Sequence, residues 1–192
     1  MTSSKALIVL DVQNIYFERS SELYVRNSKR ILDNINRLID AAKSSGNLVI
    51  YVRHIHKRDG SDLGRMFDYS GEPEEPNFLE GSGEVEYVKG LRILNRADHL
   101  VKTRYSAFKN SELLSILRKH SINTIIICGF MANFCCAATA MDAHDMDYFV
   151  EVPLGAIGCP DMGEIKQEEI KRILSGTLGA GFARVVKTKD LI

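Results

Sequence analysis

The sequence lacks an excess of charge of either sign, and this excludes functions that depend on one. Its 192 residues carry 25 lysines and arginines against 25 aspartates and glutamates. A nucleic-acid binder needs a basic stripe to neutralise phosphates, and attachment to an anionic membrane surface needs a polybasic segment. Because the sequence has neither, we expect no nucleic-acid partner and no membrane partner.

Long apolar runs are also missing. No run approaches the roughly 20 residues needed to cross a bilayer. The first apolar run, residues 6–10, ends at Asp11, which is too early for a secretory signal, and no small-residue cleavage site follows it. These features predict a cytoplasmic protein.

Cysteine is too scarce and too clustered for a disulfide framework. The four cysteines are Cys128, Cys135, Cys136 and Cys159, and no Cys-x-x-Cys metal pair is present. A disulfide between the adjacent Cys135 and Cys136 would be strained. In a reducing compartment, the remaining uses are core packing and thiol chemistry.

Short, continuous apolar runs recur along the chain, as in strands covered on both faces. They span residues 6–10, 48–52, 99–101, 124–128, 148–152 and 183–186. Helical patterns lie between several of them, and the length suits one domain over residues 1–192. We therefore predict an α/β fold: a doubly wound, Rossmann-like, six-stranded parallel sheet with helices on both faces.

Residues 57–90 interrupt this alternation with six glycines and two prolines. A structureless connection of this length is uncommon inside a compact domain. Composition alone leaves three possibilities open, namely a lid or pocket wall, a subunit interface, and a mobile excursion with no role.

Three chemically useful residues follow predicted strands. Ligands of open parallel sheets bind beyond the carboxyl ends of the strands. Asp11 follows the first run, Lys102 the third, and Cys135 a short turn after the fourth. Singly, they suit a turn residue, a solvated charge and a small core residue. Together they offer a base, a cation and a thiol, the groups that activate a cysteine nucleophile.

The motifs around these residues resemble those of the isochorismatase-like cysteine hydrolases. The segment 129–143, GFMANFCCAATAMDA, resembles the family's glycine, turn, cysteine and Thr-Ala-x-Asp-Ala helix. The segment 10–14, LDVQN, is similar to its first-strand element, and 101–108, VKTRYSAF, to its lysine element. The segment 78–82, FLEGS, resembles a further family loop. The likeness runs from about residue 5 to the C-terminus in the family's order.

The resemblance implies a catalytic triad in which Asp11 is the general base, Lys102 the cation and Cys135 the nucleophile. It implies a cis peptide between Phe130 and Met131, and an oxyanion hole formed by the backbone N–H groups of Met131 and Cys135. We predict that Gln13, Phe17 and Tyr105 contact the substrate, Gln13 as a polar contact and the two aromatic residues as a wall. We also expect a homo-oligomer, a dimer or a tetramer.

Departures from the family pattern bear on cofactors. The nicotinamidase branch has a metal site of one aspartate and two histidines after the second strand. Here that region contains His54 and His56, which alternate and so can face one side, but no third ligand stands at the expected spacing. We therefore predict no metal and no other cofactor, with metal or substrate contact by these histidines left open. Ala132 stands where many members have threonine or serine.

The function predicted from the sequence is cysteine-dependent hydrolysis of an amide, carbamoyl or ureido C–N bond in a small molecule, through a thioester-like acyl-enzyme. Two alternatives remain. One is isochorismatase-type hydrolysis of a vinyl ether, although relatives with that activity generally lack the cysteine. The other is a catalytically silent binding or assembly protein of the same fold. The sequence does not identify the physiological substrate.

Overall fold

The computed structural model describes residues 4–68, 75–109 and 111–192, which form a parallel sheet flanked by helices. The strands are β1 (Lys5–Leu10), β2 (Leu48–His54), β3 (Asp98–Lys102), β4 (Thr124–Phe130), β5 (Phe149–Pro153), β6 (Ile157–Gly158) and β7 (Arg184–Val186). The helices are α1 (Ser28–Ser44), α2 (Leu113–Lys119), α3 (Ala137–Asp145) and α4 (Gln167–Gly181). The predicted α/β fold is confirmed, and each of the six predicted strands is present.

The strand order is β3-β2-β1-β4-β5-β7, and all of these neighbours pair in parallel. The difference from the prediction is the two-residue strand β6, which pairs with the end of β4. A strand of two residues is too short to produce an apolar run in the sequence. The order reverses between β1 and β4, so the crevice beyond their carboxyl ends is the expected ligand site.

The sheet is covered on both faces, which explains the continuous apolarity of its central strands. Alternate residues of β1 enter two different cores: Ala6, Ile8 and Leu10 pack with α2, α3 and α4, whereas Leu7 and Val9 pack with α1. Burial on both faces fixes the register, since a slip of one residue would exchange the two sets of side chains.

Gly129 allows the ends of β1 and β4 to come together. Its φ is +121°, and a Cβ atom at this position would lie 1.8 Å from the carbonyl oxygen of Leu10. No side chain fits there, so glycine is required for this backbone approach. The approach brings the segment after β4 next to the residue that follows β1.

The long connection between β2 and β3 packs against the carboxyl edge of the sheet. Phe78 and Val85 are buried in the α1-side core, and single bridges join His56 to Leu79 and Gln13 to Tyr87. Gly71 and Pro73, two of the predicted breakers, lie outside the described residues. Within the described ranges, no helix is long and apolar enough to cross a membrane.

Candidate active site

A carboxylate, an ammonium group and a thiol meet beyond the carboxyl ends of three strands. Asp11 follows β1, Lys102 ends β3, and Cys135 lies in a π-helical turn (Ala132–Cys136) after β4. Lys102 Nζ lies 2.9 Å from Asp11 Oδ2 and 3.3 Å from Cys135 Sγ, and it donates to the carbonyl of Arg104 at 3.0 Å. Asp11 and Lys102 are fully buried, and Cys135 is 3% exposed. The structure thus brings together all three residues predicted for the triad.

The backbone of Asp11 turns its side chain into this cluster. Its φ is +50°, in the left-handed region that aspartate tolerates better than most residues. Its N–H continues the pairing with β2 by donating to the carbonyl of Val52 at 2.8 Å, and its own carbonyl accepts from the N–H of Gln13 at 2.8 Å. The strand therefore ends at Asp11 with its side chain held inside the protein.

Cys135 is positioned by the turn that connects β4 to α3. The peptide between Phe130 and Met131 is cis, as the resemblance implied. The hydroxyl oxygen of Thr139 in α3 accepts the backbone N–H of Ala107 at 3.0 Å, inside the protein. This bond ties the helix after Cys135 to the segment after Lys102, and so explains the threonine of the Thr-Ala-x-Asp-Ala motif.

Burial dominates the electrostatics of the cluster. It raises the pKa of Cys135 to about 12, since the opposing effect of Lys102 is smaller and Asp11 adds to the rise. Burial likewise raises the pKa of Asp11 against the attraction of Lys102. For Lys102, burial disfavours the charge, but Asp11 and Cys135 together outweigh it and raise the pKa. The resting thiol is therefore protonated beside a carboxylate that can accept its proton.

The thiol opens into a cavity of about 1080 Å³. Its wall includes the aromatic residues Tyr16, Phe67, Phe78, Tyr105 and Phe134. Met66 and Phe67, which belong to the long β2–β3 connection, line it as well, so that connection supplies part of the wall. A cavity of this size suits a small molecule.

The residues predicted to bind substrate have three different placements. Tyr105 lines the cavity and packs on Phe134, with ring centroids 5.1 Å apart. Phe17 packs edge-on against Phe130 at 5.4 Å and is not a lining residue, whereas its neighbour Tyr16 is one. Of the two residues predicted for the aromatic wall, Tyr105 lines the cavity, whereas Tyr16 at the end of the 3₁₀ turn Asn14–Tyr16 lines it in place of Phe17.

Gln13 supports the site from behind instead of facing the cavity. Both hydrogens of its amide are used, since Nε2 donates to the carbonyls of His54 at 3.0 Å and Val85 at 2.9 Å. Its oxygen accepts the backbone N–H of His54 at 2.9 Å. This arrangement differs from the predicted polar contact with the substrate, and it fixes the end of β2 in place.

The other three cysteines are buried and free. Burial raises the pKa of each thiol, to about 11 for Cys159 and well above the ordinary value for Cys128 and Cys136. Cys136, adjacent to Cys135, is fully buried in the core with α2, α3 and α4. Its surroundings agree with core packing, one of the two uses expected for these cysteines.

The donors near His54 do not fit a metal ion of the kind the nicotinamidase branch implies. Single donor atoms of Asp11, His54 and Cys135 lie within 4.8 Å of one another. Asp11 and Cys135, however, both contact the ammonium group of Lys102, whose charge repels a cation. The Nε2 atoms of His54 and His56 are 2.9 Å apart and hydrogen-bond to each other. The carboxylate of Asp62 contacts the opposite nitrogen of His56, Nδ1, so only the two histidines face each other, too few for a zinc or iron site.

A doubly wound sheet with a buried carboxylate, ammonium group and thiol at its switch point is an arrangement typical of a hydrolytic enzyme. The chain belongs to the isochorismatase family of hydrolases, since the family's isochorismatase domain model matches residues 5–190.

Individual proteins agree with this membership. The chain is 36% identical over 146 residues, 74% of each chain, to a protein of Arabidopsis thaliana named as a probable inactive nicotinamidase. It is 30% identical over 171 residues to the ureidoacrylate amidohydrolase RutB of Yersinia enterocolitica, covering 77% of this chain and 72% of that one. The structure matches a cysteine hydrolase from Pseudomonas syringae with a TM-score of 0.87 and 32% identity, over 97% and 90% of the two chains.

Proposed function

We propose that the protein hydrolyses a C–N bond of an amide, carbamoyl or ureido group in a small molecule, with Cys135 as the nucleophile. The observation that carries this proposal is the contact of Lys102 with both Asp11 and Cys135 where the thiol meets the cavity. The relatives named as a probable inactive nicotinamidase and a ureidoacrylate amidohydrolase support the choice of an amide-type bond.

In the first step, Asp11 takes the proton of the thiol while Cys135 Sγ attacks the carbonyl carbon of the substrate. A C–S bond forms, and the electron pair of the C=O bond moves to the oxygen. The backbone N–H groups of Met131 and Cys135 would stabilise that oxyanion. When the carbonyl re-forms, the C–N bond breaks, and the leaving nitrogen takes the proton from Asp11 and departs as ammonia or an amine.

In the second step, water hydrolyses the thioester-like intermediate. Asp11 takes a proton from the water as its oxygen attacks the acyl carbon. The C–S bond then breaks, the acid product leaves, and the sulfur regains a proton. Transfer of the proton between Cys135 and Asp11 leaves the summed charge of the cluster unchanged, with Lys102 always opposite one anion. A buried site can therefore perform this transfer without burying additional net charge.

Two alternatives are tested by the same assay. A vinyl-ether hydrolase has no need of a thiol nucleophile, so the intact cluster around Cys135 counts against it. The Arabidopsis relative is named as a probable inactive nicotinamidase, which favours the alternative of a catalytically silent binding protein. Against it stands the contact geometry of Asp11, Lys102 and Cys135 described above.

The decisive experiment is a screen of small amides, ureides and nicotinamide for ammonia release, with isochorismate included as the vinyl-ether substrate. We expect ammonia from at least one C–N substrate with the wild type, and none above background with Cys135→Ala. Cys136→Val is the matched control, because it alters the neighbouring buried thiol and should remain active. Turnover of isochorismate alone, or no turnover of any compound, would contradict the proposal.

A further inference from the structure

Two buried histidines form a hydrogen-bonded pair beside the cavity. His54 ends β2 and His56 follows two residues later, so both side chains project from the same side of an extended segment. Their Nε2 atoms are 2.9 Å apart, and their exposed fractions are 2% and 0%. The His54 ring lines the cavity and stacks on Phe78, with centroids 4.7 Å apart and planes inclined by 7°. The proposed mechanism uses neither ring.

The surroundings of both rings favour the neutral form. Burial, followed by the charge of Lys102, lowers the pKa of His54 well below its ordinary value. Burial also lowers the pKa of His56, although Asp62 opposes this. A neutral imidazole has one N–H group and one lone pair. A bond between two such rings therefore runs in one of two directions, and a third group decides which.

Asp62 supplies that third group. Its carboxylate oxygen Oδ1 lies 3.3 Å from His56 Nδ1 and also accepts the backbone N–H of Lys57 at 3.0 Å. The side chain of Arg104 donates to the carbonyl of Asp62 at 2.9 Å, which holds this part of the connection in place.

The direction of the bond follows from this contact. A carboxylate only accepts, so the hydrogen of His56 is on Nδ1 and its Nε2 carries a lone pair. His54 Nε2 must then donate, and His54 Nδ1 is left with a lone pair. No hydrogen bond to this nitrogen is formed within the described part of the chain.

We propose that His54 binds substrate as a hydrogen-bond acceptor, fixed in that state by His56 and Asp62. The site then prefers substrates with an N–H group on the acyl side of the scissile carbonyl, as in ureido compounds, over plain carboxamides. The His54 side chain lines the same cavity as Cys135, and one of its ring nitrogens lies within 4.8 Å of both Cys135 Sγ and an Asp11 oxygen. This inference rests on the proposed hydrolysis at Cys135.

The hydrogen positions are measured directly by long-range ¹H–¹⁵N spectra of histidine-labelled protein at pH 7, assigned with His54→Gln and His56→Gln. We expect His54 as the Nε2–H tautomer and His56 as the Nδ1–H tautomer. Asp62→Asn should abolish this fixed preference, whereas Asp59→Asn should not. Asp59 is a matched control in the same connection, where its carboxylate accepts the backbone N–H of Ser61. Reversed tautomers, a protonated ring, or a shift of both rings with one equivalent of Zn²⁺ would overturn the inference.

The substrate preference is measured with a pair of compounds that differ only by CH₂ in place of N–H. N-carbamoyl-β-alanine and 4-carbamoylbutanoate are such a pair, and any ureide hydrolysed in the screen can replace the first. The ratio of kcat/KM for the ureide to kcat/KM for the carboxamide should be about 3- to 10-fold larger in the wild type than in His54→Phe, which is the contribution of one hydrogen bond. Asp62→Asn should reduce the preference in the same direction, and Asp59→Asn should leave it unchanged.

The two proposals fail in distinguishable ways. Absence of hydrolysis of every amide and ureide refutes the proposed function, while the tautomers of His54 and His56 still test the bond direction. Hydrolysis with an unchanged ureide preference in both His54→Phe and Asp62→Asn refutes the role of His54 alone.

Discussion

Alkylation of Cys135 provides a quantitative test of how Asp11 and Lys102 divide their roles. With a pKa of about 12, Cys135 reacts slowly at neutral pH, and its alkylation rate should rise about tenfold per pH unit from pH 7 to 10 without a plateau. Loss of the Lys102 charge, 3.3 Å from the sulfur, should suppress the thiolate further. Loss of the Asp11 charge should favour it, because Asp11 raises this pKa.

The expected size of each effect follows from Coulomb's law. Two unit charges about 4 Å apart interact by about 4 kcal/mol at an effective dielectric constant of 20, which corresponds to about three pKa units. Water that enters a truncated site will screen part of this. We therefore expect Lys102→Ala to slow alkylation at pH 7 by at least about tenfold, and Asp11→Asn to accelerate it by at least about tenfold. Both variants should lose turnover, since one lacks the cation and the other the base.

The assay is iodoacetamide labelling followed by mass spectrometry, over a range of pH. All proteins carry Cys136→Val, which removes the thiol adjacent to Cys135, and fragmentation of the labelled peptide separates Cys135 from Cys128 and Cys159. Asp142→Asn and Lys109→Ala are the charge controls, because this pair lies 3.9 Å apart, is partly exposed and makes no hydrogen bond or ion pair with Asp11, Lys102 or Cys135 in the described residues. If Asp11→Asn slowed alkylation as severely as Lys102→Ala, Asp11 would hold the geometry of the thiolate-forming site and the assigned role of base would be wrong.

Three further predictions concern metal dependence, the contribution of Gln13 to stability, and the oligomeric state. Exhaustive chelation should leave activity unchanged, because the ammonium group of Lys102 contacts both Asp11 and Cys135, the candidate metal donors beside His54. Full loss of activity that zinc or iron restores would refute this prediction. Gln13→Ala should lower the free energy of unfolding by about 2–4 kcal/mol in urea melts, because the buried peptide groups of His54 lose their hydrogen-bond partners. A change below about 0.5 kcal/mol would contradict this structural role of Gln13. The protein should be a dimer or tetramer by light scattering at micromolar concentration, and a monomeric mass would count against this.

The positions of Asp11, Lys102 and Cys135 could be anticipated from the sequence because parallel strands bring their carboxyl ends to one edge. A residue at the carboxyl end of a strand in such a sheet therefore lies close to the residues at the ends of the neighbouring strands. The interpretation of continuous apolar runs as buried strands anticipated the six longer strands. It missed β6, since two residues against β4 leave no periodic signal.

The surroundings of the cluster depended on contacts that are distant along the chain. Gln13 bonds with residues 41 and 72 positions away, and nothing in its local sequence indicates that backbone groups would use its whole amide. The choice between Tyr16 and Phe17 as the cavity wall depends on the rotation of one short turn. The alternation of His54 and His56 indicated that they can face one side, but the partner Asp62 comes from the irregular connection.

Rapid-quench mass spectrometry of the intact protein shows directly whether Cys135 forms a covalent acyl-enzyme. With a C–N substrate identified by ammonia release, the wild type and Cys136→Val should both gain the mass of the acyl group, located by fragmentation on Cys135 and lost again as the acid is released. Cys135→Ala, with an unchanged thermal melt, should show neither the adduct nor turnover. Near-wild-type turnover by folded Cys135→Ala would contradict the account.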